Sequence, residues 1–147
     1  MSREFEVGED GRALTTFVQS RWRTSGHFEL DGQGYEIRAR GFAGRYELLS
    51  AGGTVVAAAD HVGRRHWSVR ADGREYRFHR ESLGGRAVSM VDSDDRVIGS
   101  VTAGRRGQVS ADLPGMELRL RVFVVGAMLL QLRRKRAAAA SAASSGG

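Results

Sequence analysis

Cysteine is absent from this 147-residue chain, and with it go disulfides, thiolate metal sites and cysteine nucleophiles. That absence fits a reducing, cytoplasmic setting. Proline occurs once, at Pro114, whereas glycine occurs twenty times, a balance that suits many tight turns. No basic start followed by an apolar stretch opens the chain, so no secretory signal is expected. Lysine is nearly missing too: of the twenty-three bases only Lys135 is not arginine.

Long hydrophobic runs are scarce. The single one is Val122 to Leu132 (VFVVGAMLLQL), followed at once by Arg133, Arg134, Lys135 and Arg136. At about 1.5 Å per residue these eleven residues span about 16 Å as a helix, well short of the roughly 30 Å core of a bilayer. No transmembrane span is therefore expected. A helix that is apolar on nearly every side needs walls around it, and in a chain otherwise patterned as strands those walls would be a curled sheet. The core helix is placed at about 116–134. The remainder, 135–147, rich in Ala, Ser and Gly, reads as a disordered tail outside the 1–134 domain.

The formal charge of +6 resembles a nucleic-acid signature until it is located. Without Arg133 to Arg136, nineteen bases face seventeen acids, and arginines interleaved with glutamates along strands make a poor phosphate-binding surface. Nucleic acid is thus the disfavoured partner.

Three segments repeat one pattern. His27-Phe28-Glu29-Leu30 leads through Gly32 and Gly34 to Tyr35-Glu36-Ile37-Arg38. His66-Trp67-Ser68-Val69 leads through Asp72-Gly73 to Glu75-Tyr76-Arg77-Phe78, and Val109-Ser110-Ala111 leads through Pro114-Gly115 to Glu117-Leu118-Arg119-Leu120. Each reads as strand, turn, strand, with Asp-Gly a strong hairpin signal because such turns require positive φ. Between them lie further hairpins, Arg45–Leu49 with Thr54–Ala57 and Ala87–Val91 with Arg96–Gly99. The predicted fold is mainly β: a single antiparallel β-barrel of roughly ten to twelve strands, closed or nearly closed to protect its edges, around a buried hydrophobic C-terminal α-helix.

Residues about 25 to 134 resemble the tubby C-terminal-like fold, which tubby domains share with phospholipid scramblases and LURP-one-related proteins, and in particular small actinobacterial proteins of that type. The likeness is carried by Gly53-Thr54-Val55-Val56-Ala57, Gly63-Arg64-Arg65-His66-Trp67-Ser68-Val69, Asp72-Gly73-Arg74-Glu75-Tyr76-Arg77-Phe78, Arg96-Val97-Ile98-Gly99-Ser100-Val101 and Ala111-Asp112-Leu113-Pro114-Gly115 before Val122-Phe123-Val124-Val125. It implies a barrel around a hydrophobic helix and contact with membrane lipid, since tubby domains bind phosphoinositide headgroups and scramblases act on phospholipids. No short headgroup motif of those relatives aligns with this chain, so none of their ligand residues is carried over. The cysteines and calcium-binding elements of scramblases have no counterpart, because Asp92-Ser93-Asp94-Asp95-Arg96 lacks the Gly and terminal Glu of a calcium loop.

Catalytic and cofactor patterns are equally sparse. His27, His61, His66 and His79 show no metal-ligand spacing, the serines sit in no GxSxG elbow, and Gly32-Gln33-Gly34 lacks the rest of a dinucleotide fingerprint. Neither catalytic residue, cofactor nor metal ligand is assigned. The candidate contacts to anionic lipid are Arg64, Arg65, Arg105, Arg106, Arg133, Arg134, Lys135 and Arg136, the first four as equivalent loop positions on one rim. The last four are read as following a helix C-terminus, where cations suit the macrodipole and could also approach an anionic leaflet. The expected function is that of a non-catalytic module at an anionic membrane surface or phospholipid headgroup. A structural or protein-interaction module without lipid is the alternative, and nonspecific nucleic-acid binding the second alternative.

Overall fold

In a computed structural model of the protein, described here for residues 3–9, 12–20, 23–41, 43–81, 87–103 and 109–145, eleven antiparallel strands run in chain order and one helix follows. The strands are β1 (Arg3–Glu9), β2 (Arg12–Gln19), β3 (Ser25–Leu30), β4 (Gln33–Ala39), β5 (Tyr46–Ser50) and β6 (Val55–Asp60). They continue as β7 (His66–Ala71), β8 (Arg74–Arg80), β9 (Ala87–Val91), β10 (Val97–Ala103) and β11 (Val109–Asp112), before α1 (Leu118–Ser145). Every strand pairs with its sequence neighbours, so the sheet is an uninterrupted meander curled into a nearly closed barrel.

The strand signal is alternation. In β3 the residues Phe28 and Leu30 point inward while His27 and Glu29 face out, and β4 answers with Tyr35 and Ile37 in and Arg38 out. Inward neighbours stack across the ladder: Phe28 on Tyr35 with ring centroids 5.2 Å apart, and Trp67 on Phe78 at 4.3 Å. Such pairs tie adjacent strands from inside the barrel. The hairpins β3–β4 and β7–β8 close through Asp31-Gly32 and Asp72-Gly73, all four residues with φ between 50° and 76°. That is the geometry two-residue hairpins require.

The helix fills the enclosed space. From Val122 to Leu130 all nine residues are buried, with Val122, Phe123 and Val124 fully inaccessible, as expected for a helix walled on every side. Small residues make its close approach possible: a side chain at Gly126 would collide with the Ile37 methyl and the Phe17 ring. The bulk missing from the helix at that point is supplied by β2 and β4.

Glu117–Leu120 carried two readings, second strand of the third repeat and start of the core helix at about 116, and the structure has the helix, which begins at Leu118: the Glu117 carbonyl accepts the amides of Leu120 and Arg121, each at 3.0 Å. Once this segment leaves the sheet its apolar residues are satisfied by the barrel interior instead of a neighbouring strand. At the other end, the segment from 135 onward, expected as a disordered tail, is helical through Ser145. Alanine loses almost no side-chain entropy in a helix, so Ala137–Ala140 prolongs one already nucleated in the core.

Candidate basic end and its cavity

Meander topology sorts the turns. Connections after even-numbered strands fall at one end of the barrel, and those after odd-numbered strands fall at the other. The helix enters from the second end and leaves through the first, where three contacts join its exit to the surrounding loops. Arg133 Nη1 donates to the Ser20 carbonyl, Arg134 Nη1 to the Gly41 carbonyl at 3.1 Å, and Gln131 packs against Gly63. At the same end Arg80, the last residue of β8, donates to the Gly63 carbonyl at 3.2 Å.

This end collects positive charge from pieces distant in sequence: Arg23, Arg40 and Arg45, then Arg64, Arg65 and Arg80, then the helix residues 133–136. Some of it is neutralised locally, with Arg40 on Glu47 and Arg45 on Asp60. Arg64, Arg65, Arg80, Lys135 and Arg136 make no ion pair with any described residue. Glu81, which follows Arg80 in sequence, accepts a hydrogen bond from the Ser89 hydroxyl. The opposite end is mixed: Asp31, Asp72, Asp94, Asp112 and Glu117 alternate there with Arg74, Arg96 and Arg119.

Between the helix exit and the loops lies a cavity of about 360 Å³. Its walls are apolar, from Val62, Trp67, Val88, Met128 and Leu132, and its rim carries Arg64, Arg80, Gln131, Arg134 and Lys135. No described acid lines it. Three shallower depressions on the barrel wall each include a glutamate, Glu29 and Glu36 in one, Glu75 in another and Glu36 in the third. The cavity is held open by backbone. Gly44, at φ +74°, lies so close to the Val62 main chain that a side chain there would meet the Val62 carbonyl oxygen at 2.6 Å, and the Val62 amide donates to the Gly44 carbonyl at 2.9 Å. One loop thereby braces the next.

Tyr46 fixes the helix within this end. Its hydroxyl donates to Gln131 Oε1 at 2.7 Å, and burial pushes the phenol up to about 12, an effect that the nearby Arg134 cation partly offsets. The phenol therefore stays a donor at neutral pH.

The residues proposed from the sequence separate into three groups. Arg64, Arg134 and Lys135 meet at the cavity, Arg65 and Arg136 are exposed beside it, and Arg133 turns to the Ser20 carbonyl. Arg105 and Arg106 lie outside the described residues. The macrodipole explanation for Arg133 to Arg136 is overturned, because the helix continues to Ser145 and leaves these residues in its middle. Carbonyl anchoring replaces it for Arg133 and Arg134. Arg80 and Gln131 were missed. The available signal was positional: Arg80 ends a strand on the helix-exit side, and Gln131 is the one hydrogen-bonding side chain within the apolar run.

The remaining candidates resolve as structure. His66 and His79 are direct cross-strand partners with rings edge-to-face at 4.4 Å, and His79 Nε2 is 3.9 Å from Asp95. Among the described residues no group of three or more His, Cys, Asp or Glu could hold a metal ion. The acidic stretch 92–95 is a turn in which Asp92 Oδ1 accepts the amides of Asp94 and Arg96 at 2.8 and 2.9 Å. No helix among the described residues is long and apolar enough to cross a membrane. Comparison with protein-family models, curated proteins and solved structures found no match.

Proposed function

We propose that this protein is a non-catalytic, cytoplasmic module that binds anionic phospholipid headgroups and meets the membrane face with the basic end of its barrel. One observation carries the reading: the cavity at the helix exit joins an apolar interior to a rim of Arg64, Arg80, Arg134 and Lys135, with no acid among the described lining residues. Guanidinium groups offer paired donors to phosphate oxygens, and a cation near an anionic leaflet contributes about 1 kcal/mol. The apolar walls favour lipid over nucleic acid, whose backbone has no use for them. Kinship with tubby-like lipid-binding barrels is part of the same proposal and rests on the sequence resemblance and on the barrel-and-helix architecture.

A protein-interaction module is the second reading. It is favoured by Val55, Val97 and Ile98, the exposed large hydrophobic residues among those described, which lie at the strand starts opposite the basic end.

Co-sedimentation with neutral and anionic vesicles, at low and physiological salt, tests the first. The expected result is binding to anionic vesicles alone, weakened by salt and by the combined substitutions Arg64→Gln, Lys135→Gln and Arg136→Gln, none of which removes a hydrogen bond to a described residue. Absence of sedimentation with either vesicle would reject it, and salt-sensitive retention of DNA in its place would move the basic end to the nucleic-acid reading.

A further inference from the structure

We infer that the cavity at the helix exit takes one single-chain amphiphilic anion, its chain against Trp67, Val88 and Met128 and its carboxylate or phosphate at the rim. This deepens the proposed function and rests on the same reading of the basic end as a lipid-facing surface. It adds a monomeric ligand held inside the protein, which binding to a membrane surface does not require.

Hydrogen-bonding polarity argues for the anion. The rim offers guanidinium groups from Arg64 and Arg80, the Gln131 amide and the Lys135 ammonium. Each guanidinium has five N–H donors and no acceptor, so the one bond from Arg80 to the Gly63 carbonyl leaves further donors available. The acceptor atom of Gln131 already receives the Tyr46 hydroxyl. The side chains at the mouth are thus donors with little to accept in return, and they match a head group made only of acceptors. A choline or ammonium head group would find no carboxylate among the described lining residues.

The interior argues for the chain. Trp67 is 4% exposed and backed by the stacked Phe78 ring, while Met128 supplies an unbranched, adaptable side chain that can repack around a flexible guest. About 360 Å³ falls near the lower limit for small-molecule sites, roughly 300 to 1,000 Å³, so the space suits one chain and not the two of a diacyl lipid. Charge at the mouth with apolar walls below it also sets the orientation: head outward, chain inward.

The composition of the chain supplies two probes. Trp67 is one of two tryptophans, so Trp22→Phe leaves it as the sole reporter, and Lys135 is the only lysine. Dodecanoate, dodecyl phosphate and dodecyltrimethylammonium are each added as monomers, below their micelle concentrations, and inorganic phosphate is added separately. Trp67 emission is read in the Trp22→Phe protein; acetylation of Lys135 is read by peptide mass in the unaltered chain. Saturable change in Trp67 emission with one or both dodecyl anions is expected, but none with the dodecyl cation. At a tenfold excess over its dissociation constant the same anion slows Lys135 acetylation about tenfold, as the free fraction falls. The tighter of the two anions then assigns the head group as carboxylate or phosphate.

Protection of Lys135 by inorganic phosphate and by both anions without any Trp67 response overturns the inference, reducing the site to a head-group contact at the rim. So does silence of both probes toward both anions. In either case, anionic vesicles that still sediment the protein leave the membrane-surface reading standing. Response to the anions by a protein that no vesicle sediments supports the inference and removes the surface reading instead.

Discussion

The two ends of this barrel are built from the same meander and differ in almost everything else. At one, the connections include two-residue Asp-Gly turns, acids and bases alternate, and the chain passes into the helix through Pro114-Gly115. At the other, longer loops brace one another through Gly44 and Val62, cations converge from five parts of the chain, and the departing helix leaves a cavity beside itself. A net charge near neutral for the barrel conceals this separation. Summing charges along a sequence loses the fact that antiparallel order sends successive turns to opposite ends.

Substitution at the point where both ends share one core has the largest expected effect. Gly126→Leu drives a side chain into Ile37 and Phe17 and is expected to destabilise the protein by about 3 kcal/mol or more, removing cavity and turns together in urea unfolding. Next comes the charge at the helix exit. Substituting Arg64, Lys135 and Arg136 with Gln together is expected to weaken binding to anionic vesicles by roughly 3 kcal/mol, about a hundredfold, with the unfolding midpoint unchanged. Asp72→Asn at the other end should leave vesicle binding as it is. The triple change lowers the net charge by three and Asp72→Asn raises it by one, so a gain in binding by Asp72→Asn about a third the size of the triple variant's loss, in free energy, would mean that net charge and not its placement governs binding.

Tyr46 gives a smaller, pH-dependent effect. Its phenol is raised from 10.0 to about 12 in the folded protein, so the folded state holds the proton more tightly than the unfolded chain. The associated stability is fully present below pH 10 and is lost as pH rises from 10 through 12, on the order of 2 kcal/mol. Tyr46→Phe should flatten that part of the alkaline unfolding profile while costing about 1 kcal/mol at neutral pH for the lost bond to Gln131. Ending the chain after Arg136 should change stability least, by about 0.5 kcal/mol or less, because residues 137–142 are all exposed.

How much of this was legible beforehand follows from the kind of signal each feature sends. Alternation in His27–Leu30 and His66–Val69, the Asp-Gly turns and the unbroken apolar run gave the barrel and its central helix, because burial on one face or on all faces leaves a periodic mark. The helix end was misplaced because alanine and serine carry no burial pattern, while helix propensity alone continues the turn. The site was only half visible. Arg64 and Lys135 belong to basic clusters, but Arg80 is one of three arginines spaced along β8, and nothing local distinguishes it from Arg70 or Arg77, which pair with Asp60 and Asp95. Its role comes from where β8 ends. Gln131 likewise becomes meaningful only beside Tyr46, eighty-five residues away.

The order of elements also bears on how the chain reaches its fold. Each strand pairs with the next, so hairpins can form as soon as their own residues are made, on the microsecond scale typical of local pairing. Their inward faces have nothing to enclose until α1 arrives, and Arg133 meets Ser20 across a sequence separation of 113. Folding is therefore expected to divide into rapid local pairing and a late, slower consolidation around the helix, with the exposed inner faces of the waiting strands the principal aggregation hazard. The element that follows all eleven strands is the one that gives them an inside.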